Sequence, residues 1–314
     1  MFSYQKIVGR DNKAVKYKST PYPQFDAPDL PRNFFCFLIA GVRGSGKTQV
    51  CIKLLKLNEQ TTLKNPDGTT CKERIIVFCP TIEGNQIYKT LKNLDEEDIY
   101  TSYSDEMLVE VLAEIKYEKE QTEKYAIMKK LIKKFKTIKN IDLLEPEELL
   151  LLMEHNYEMP EPPTYPNGCI THLIFDDLIG TDAFKTVGKS KLTNTVLNGR
   201  HLSVNIYILT QNLKAVPKTI RANSTVMAVF RYGQKKILED IYEECSDLMD
   251  FNSFETMYLN ATEEPHSFLL LDHTQKRENR LKKCFDHIIK VNKKKNIKEE
   301  KLIEEVVSVE KVEK

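Results

Sequence analysis

The sequence predicts an α/β fold: a central, mostly parallel sheet flanked by helices, with a charged helical insertion. Three observations carry that expectation. Five short, nearly continuous apolar runs recur along the 314 residues, each separated from the next by helical or loop-like sequence. The first run leads directly into a complete phosphate-loop motif, and the third ends in two adjacent aspartates.

Taken in order, residues 1–32 are polar, contain Pro21, Pro23, Pro28 and Pro31, and read as an extended N-terminal arm. The apolar runs follow at 34–41 (FFCFLIAG), 75–79 (IIVFC), 170–175 (ITHLIF), 204–210 (VNIYILT) and 224–230 (STVMAVF). Continuous rather than alternating hydrophobicity is what a strand covered on both faces needs, as in parallel sheets. Between the second and third runs, a charged stretch at about 105–158 carries Leu108, Leu112, Ile115, Leu131 and Phe135. It reads as helices forming an insertion, closed by the proline-rich EMPEPPTYP at 158–166. Residues 33–290 then form one P-loop domain, and 291–314 form a charged C-terminal tail of KKK and EE blocks.

Composition excludes several classes. With 41% apolar and 30% charged residues, the chain can bury a core and is too hydrophobic for a disordered one. No apolar run approaches the roughly 18 residues of a membrane helix. The polar start, MFSYQKIVGRDNK, lacks a signal-peptide core. The seven cysteines form no CxxC pair and read as reduced thiols of a cytosolic-type compartment. The six histidines show no metal-ligand spacing; His172 and His201 read as packed or capping residues.

A net charge of +1 conceals strong segregation. Ala183 to Leu238 holds ten Lys or Arg and no Asp or Glu, where the average acid content would place about eight. Asp95 to Glu161 reverses the balance, with eighteen acids against nine lysines.

The phosphate-loop motif is Gly41-Val42-Arg43-Gly44-Ser45-Gly46-Lys47-Thr48, fitting G-x-x-x-x-G-K-[ST] in full. Its glycines let backbone N–H groups curl round a phosphate, and the following helix aims its positive dipole end at the same place. Lys47 is expected to reach the β- and γ-phosphates of ATP, and Thr48 to ligate Mg²⁺. Leu173-Ile174-Phe175-Asp176-Asp177 is the second element. Asp176, at the strand tip, is placed to hold the Mg²⁺ water shell. Asp177 sits where a general base could polarise the attacking water, although such a pair also serves as a helix cap. Gln211, ending the next strand, suits a sensor beside the γ-phosphate or an ordinary loop position. Arg200 precedes that strand and Arg231 closes the one after; either could reach a neighbouring subunit's γ-phosphate, a DNA phosphate or only solvent.

GRHLSVNIYILTQNLKAVPKTIRANSTVMAVFR, from Gly199 to Arg231, resembles the diagnostic stretch of the FtsK–HerA superfamily of DNA-pumping P-loop ATPases. Within it the likeness is greatest to the genome-packaging ATPases of poxviruses and other nucleocytoplasmic large DNA viruses, and it covers roughly 33–290. The resemblance implies a RecA-like core with an additional strand between the P-loop and Asp-Asp strands. It also implies an ATP-hydrolysing, DNA-translocating ring of identical subunits, Gln211 as sensor, and an arginine supplied across the interface, Arg200 in preference to Arg231. Capsid or portal-vertex proteins would be partners, and the viral assembly site in the host cytoplasm, and the virion, the location.

In such a motor the acid-free block gains a role. Lys185, Lys189 and Lys191, then Lys214, Lys218 and Arg221, are candidates to grip double-stranded DNA through its phosphates, whatever its sequence. Two competing readings remain: a cellular FtsK–HerA-type translocase, and an ATP-switched assembly protein that docks on a capsid or scaffold through the acidic segment without pumping.

Overall fold

The computed structural model describes residues 22–138, 143–185, 190–243 and 249–290. In chain order, β1 (Gln24–Phe25) is followed by β2 (Cys36–Ala40), α1 (Lys47–Glu59), β3 (Leu63–Lys64), β4 (Lys72–Phe78) and β5 (Ile99–Tyr100). Two helices, α2 (Asp105–Ile138) and α3 (Pro146–Glu154), precede β6 (Cys169–Asp176), α4 (Lys191–Leu202) and β7 (Val204–Thr210). Then come α5 (Lys218–Asn223), β8 (Val226–Phe230), α6 (Lys235–Glu243), α7 (Phe251–Ala261), β9 (Phe268–Asp272), β10 (Leu281–Lys283) and β11 (His287–Ile288).

Nine strands form the main sheet in the order β11-β10-β9-β8-β2-β7-β6-β4-β5, while β1 and β3 pair separately. From β8 to β5 every neighbouring pair is parallel; from β8 to β11 every pair is antiparallel. All five apolar runs are strands of the parallel half. β7 lies between β2 and β6, so the expected additional strand separates the phosphate-loop strand from the Asp-Asp strand.

The continuous apolar runs have a direct physical cause. Successive side chains of a strand point to opposite faces, and both faces are covered here. Phe37, Ile39, Val77, Ile174, Tyr207 and Leu209 face one core layer with α1. Leu38, Ala40, Phe78, Phe175, Ile206 and Ile208 face the other, where α2, α4, α5, α6 and α7 pack. In α1 the buried Cys51, Leu54, Leu55 and Asn58 follow the 3.6-residue period that turns one helical face to the sheet. His172 is fully buried between the Tyr207 hydroxyl (3.1 Å) and Glu73 (3.1 Å), a packed residue as expected.

The charged 105–158 stretch divides in two. Leu108, Val111 and Ile115 of α2 belong to the main core. Beyond them α2 continues for a total of 34 residues and carries Met128, Leu131 and Ile132 against Leu144 and Leu152 in a small separate core with α3. The part that stands off the sheet is therefore the second half. Among the described residues no helix is long and apolar enough to cross a membrane, and no group of three or more His, Cys, Asp or Glu could hold a metal ion. The six described cysteines are all free thiols.

Arg74 of β4 anchors α2 to the sheet. Its guanidinium donates to both oxygens of Asp98 (2.9 and 2.6 Å) and lies 2.9 Å from Glu114 and 3.4 Å from Glu118. Arg74 is 13% exposed and Asp98 4%, so removing the arginine strands a buried carboxylate. Arg74→Ala is expected to cost about 3–5 kcal/mol of unfolding free energy. Urea titration checks this, and a loss below about 1 kcal/mol would mean that solvent screens the cluster.

Candidate functional site

The site is built where β2 stops. Gly41 accepts no side chain there: a Cβ would lie 2.5 Å from Ser45 Oγ and 2.8 Å from the Phe230 ring. Gly44 and Gly46 take φ of 77° and 106°, backbone that other residues rarely adopt. The loop closes over its own lysine. Lys47 Nζ donates to the carbonyls of Gly41 and Val42, both at 3.0 Å, and so spans the mouth of the loop. Burial lowers the ammonium's pKa, while the nearby Asp176 and Asp177 carboxylates oppose that shift. Ser45 Oγ is buried without a hydrogen-bond partner among the described residues.

Opposite the loop, β6 delivers Asp176, 5% exposed. Its Oδ2 accepts from the Thr48 hydroxyl at 3.2 Å and from the Tyr88 hydroxyl at 2.8 Å. Burial raises the Asp176 carboxyl pKa, and these two donors pull it back. Asp177 leaves the strand direction with φ 56°, a left-handed conformation that aspartate tolerates better than most residues. Gln211, at the tip of β7 between the two, donates from Nε2 to Asp177 Oδ1 at 3.1 Å. The Tyr232 hydroxyl holds the Gln211 carbonyl at 3.1 Å, and Tyr258 accepts from the Tyr232 N–H while donating to the Phe230 carbonyl. Gln211 is thus fixed from behind.

This is a P-loop NTPase fold. The oxygen donors Thr48 and Asp176 suit a hard divalent cation such as Mg²⁺. An ammonium held by neutral carbonyls and an unpartnered buried hydroxyl suit a phosphate chain. A cleft of about 950 Å³, bordered by Gly44, Lys47, Thr48, Lys53 and His266, leaves room for the rest of a nucleotide.

No family model matches the chain, and no curated protein does. Among solved structures, the genome packaging NTPase B204 from Sulfolobus turreted icosahedral virus 2, in complex with ATP-gammaS, is 13% identical, with a TM-score of 0.42 over 81% of this chain and 98% of that one. EssC (ATPases 2 and 3) from Geobacillus thermodenitrificans is 15% identical, with a TM-score of 0.40 over 91% of this chain and 47% of that one. The pCW3 conjugation coupling protein TcpA, with ATPgS, is 16% identical, with a TM-score of 0.33 over 75% of this chain and 56% of that one.

The remaining expected residues are dispersed. Arg231 is exposed just past the tip of β8, on the rim beside the P-loop strand. Arg200 is exposed on the last turn of α4, with its guanidinium 5.3 Å from the Tyr22 ring centroid. The whole length of β7, about 20 Å, separates it from Gln211 of the same chain. Lys185 pairs with Asp182 at 2.6 Å and Lys214 with Asp240 at 3.0 Å. Lys191 and Lys218 are exposed at the starts of α4 and α5, and Arg221 Nε donates to the Val216 carbonyl at 3.2 Å. Lys189 lies outside the described residues. The block is acid-free in sequence but not in space, because acids flanking it in the chain fold back onto two of its lysines.

Two residues of the site carried no sequence signal: Tyr88 and His266. His266 Nδ1 lies 3.1 Å from the Ser45 carbonyl, with φ 63°. A carbonyl only accepts, so Nδ1 carries the proton. Fixing this carbonyl fixes the planar Ser45–Gly46 peptide and turns the Gly46 N–H away from the imidazole. His266→Ala is expected to weaken ATP binding about fivefold, the worth of one such hydrogen bond. His266→Asn tolerates the left-handed backbone and keeps an N–H, so it should recover most of the affinity in a fluorescent-nucleotide titration.

Proposed function

We propose that this chain is an ATP-hydrolysing motor that translocates double-stranded DNA as a ring of identical subunits, and that its cargo is a viral genome entering a capsid. One observation carries the hydrolase reading: Lys47, Thr48, Asp176, Asp177 and Gln211 meet at the tips of three adjacent strands, β2, β7 and β6. The DNA and packaging parts rest on the basic 183–238 block and on the likeness of Gly199–Arg231 to the packaging ATPases.

The residues divide the work as follows. Lys47 exchanges its two carbonyl partners for the β- and γ-phosphate oxygens. The Ser45 hydroxyl and the loop N–H groups complete the phosphate cradle. Thr48 and Asp176 would hold Mg²⁺, which supplies charge neutralisation on the phosphate oxygens when bound. Asp177 takes the proton of the attacking water, and Gln211 holds the Asp177 carboxylate in place. Loss of the γ-phosphate frees that amide to change partner, and its strand leads into Lys214, Lys218 and Arg221. Arg200, too far from its own P-loop to act there, serves the neighbouring subunit; Arg231, on the rim of its own site, is the reserve for that role.

A second reading, an ATP-switched assembly protein, is favoured by the exposed Tyr117, Ile127, Leu150 and Met153 on α2 and α3, which suit a docking surface for a capsid protein. Steady-state ATP hydrolysis with and without duplex DNA separates the two. A DNA pump gives stimulation by duplex of any sequence. With four phosphate contacts, its DNA affinity falls about a hundredfold between 50 and 200 mM salt. Turnover indifferent to DNA transfers the assignment to the assembly switch.

A further inference from the structure

The connection between β4 and β5 contributes one polar group to the site, and that group touches the residue on which cation binding depends. Tyr88 lies on a short turn, Gln86–Thr90, packed against α1, and is 1% exposed. A phenol so deeply buried needs a partner for its hydroxyl. Its partner is Asp176 Oδ2, at 2.8 Å. The same oxygen accepts from Thr48 at 3.2 Å. Two donors therefore converge on Oδ2 from two different elements, while Oδ1 accepts no side-chain hydrogen bond among the described residues. A carboxylate can otherwise rotate about its last torsion and exchange its oxygens. Doubly held on one oxygen, this one cannot do so without breaking two hydrogen bonds.

We propose that Tyr88 is a positioning residue for the divalent cation: with Thr48 it pins Oδ2 of Asp176 so that Oδ1 is presented to the cation's water shell. The inference rests on the nucleotide-site reading above. The Thr48 hydroxyl is partly exposed and can turn from Asp176 towards the cation, whereas the Tyr88 phenol is held in the core. Tyr88 holds from the buried side in both states. Outer partners of this kind orient a ligand, and their loss lowers metal affinity about 10–100-fold.

The test measures cation binding directly. Electron paramagnetic resonance follows Mn²⁺ binding to the full chain in the presence of the non-hydrolysable ATP analogue AMPPNP, with Mg²⁺ as competitor. The parent is compared with Tyr88→Phe, Asp176→Asn and Lys47→Ala. Nucleotide binding in EDTA and thermal melting run in parallel. Tyr88→Phe keeps the ring that fills the core, so its Tm should stay within a few degrees. Its affinity for AMPPNP in EDTA should stay within about twofold, while its Mn²⁺ affinity falls about 10–100-fold. Mn²⁺ affinity unchanged in Tyr88→Phe but lost in Asp176→Asn overturns the role of Tyr88 alone. A joint fall in Tm and in cation-free nucleotide binding assigns Tyr88 a purely structural role and also overturns the proposal. If the parent takes up no Mn²⁺ with AMPPNP, the nucleotide-site reading and the role of Tyr88 fall together.

Discussion

Lys47→Ala is expected to reduce kcat/KM for ATP by at least about 10³-fold, or about 4 kcal/mol of transition-state stabilisation. The expectation follows from where the ammonium sits. It is half buried, held by two neutral carbonyls at the mouth of the loop, and has no carboxylate in salt-bridge contact among the described residues. Its charge is therefore available to a phosphate, and no other cation of the described chain is hydrogen-bonded within the loop. Removing it leaves two carbonyls that water can reach, so the fold should survive with a Tm near that of the parent. Steady-state hydrolysis together with a melting curve checks both halves. Residual turnover above about a tenth of the parent rate would mean that another group carries the phosphate charge.

Asp177→Asn is expected to lower kcat about 10²–10⁴-fold, the usual span for a lost general base, with ATP affinity changed less than about threefold. Asparagine is the informative replacement. It is nearly isosteric, accepts φ near 56° as readily as aspartate, and can still accept from Gln211 through its amide oxygen. Only the ability to take a proton disappears. Alanine would add backbone strain and leave the Gln211 amide without its acceptor. Single-turnover hydrolysis with prebound ATP isolates the chemical step, and a rate within about tenfold of the parent would assign the base elsewhere.

Both variants test residues already visible in the sequence, for a physical reason. The phosphate loop compresses its chemistry into eight consecutive positions, and Asp176-Asp177 into two. Gln211 was visible as the polar end of an apolar run. Five of the six parallel strands were visible because burial on both faces writes itself as unbroken hydrophobicity; β5, two half-buried residues, was not. The antiparallel half was harder to read. β10 is Leu-Lys-Lys, and its Lys282 is only 2% exposed, hydrogen-bonded to the Asp29 carbonyl and 3.9 Å from Asp272. Pairing with β9 makes it a strand, not its own hydrophobicity. β9 itself is apolar (FLLLD), but its place was invisible without its partners.

Tyr88 and His266 were illegible for a similar reason. Tyr88 meets Asp176 across 88 positions and His266 meets Ser45 across 221, through packing alone. Arg200 shows that neighbours along the chain need not be neighbours in space. Eleven positions from Gln211, it sits at the far end of the strand that joins them. The acid-free block is less bare in space than along the chain, since Asp182 and Asp240, just outside its limits, pair with Lys185 and Lys214.

The main sheet ends on each side in a strand of only two residues, Ile99–Tyr100 and His287–Ile288. Edges this short offer almost no backbone template for another chain. Among the described residues, the end strands of the main sheet give copies of the protein little to extend one sheet into the next. In the proposed ring, neighbours would meet through side chains, contacts that ionic strength and nucleotide state can loosen and remake. In the ring proposed above, subunits joined that way would part at one seam and close around a duplex that has no free end to thread.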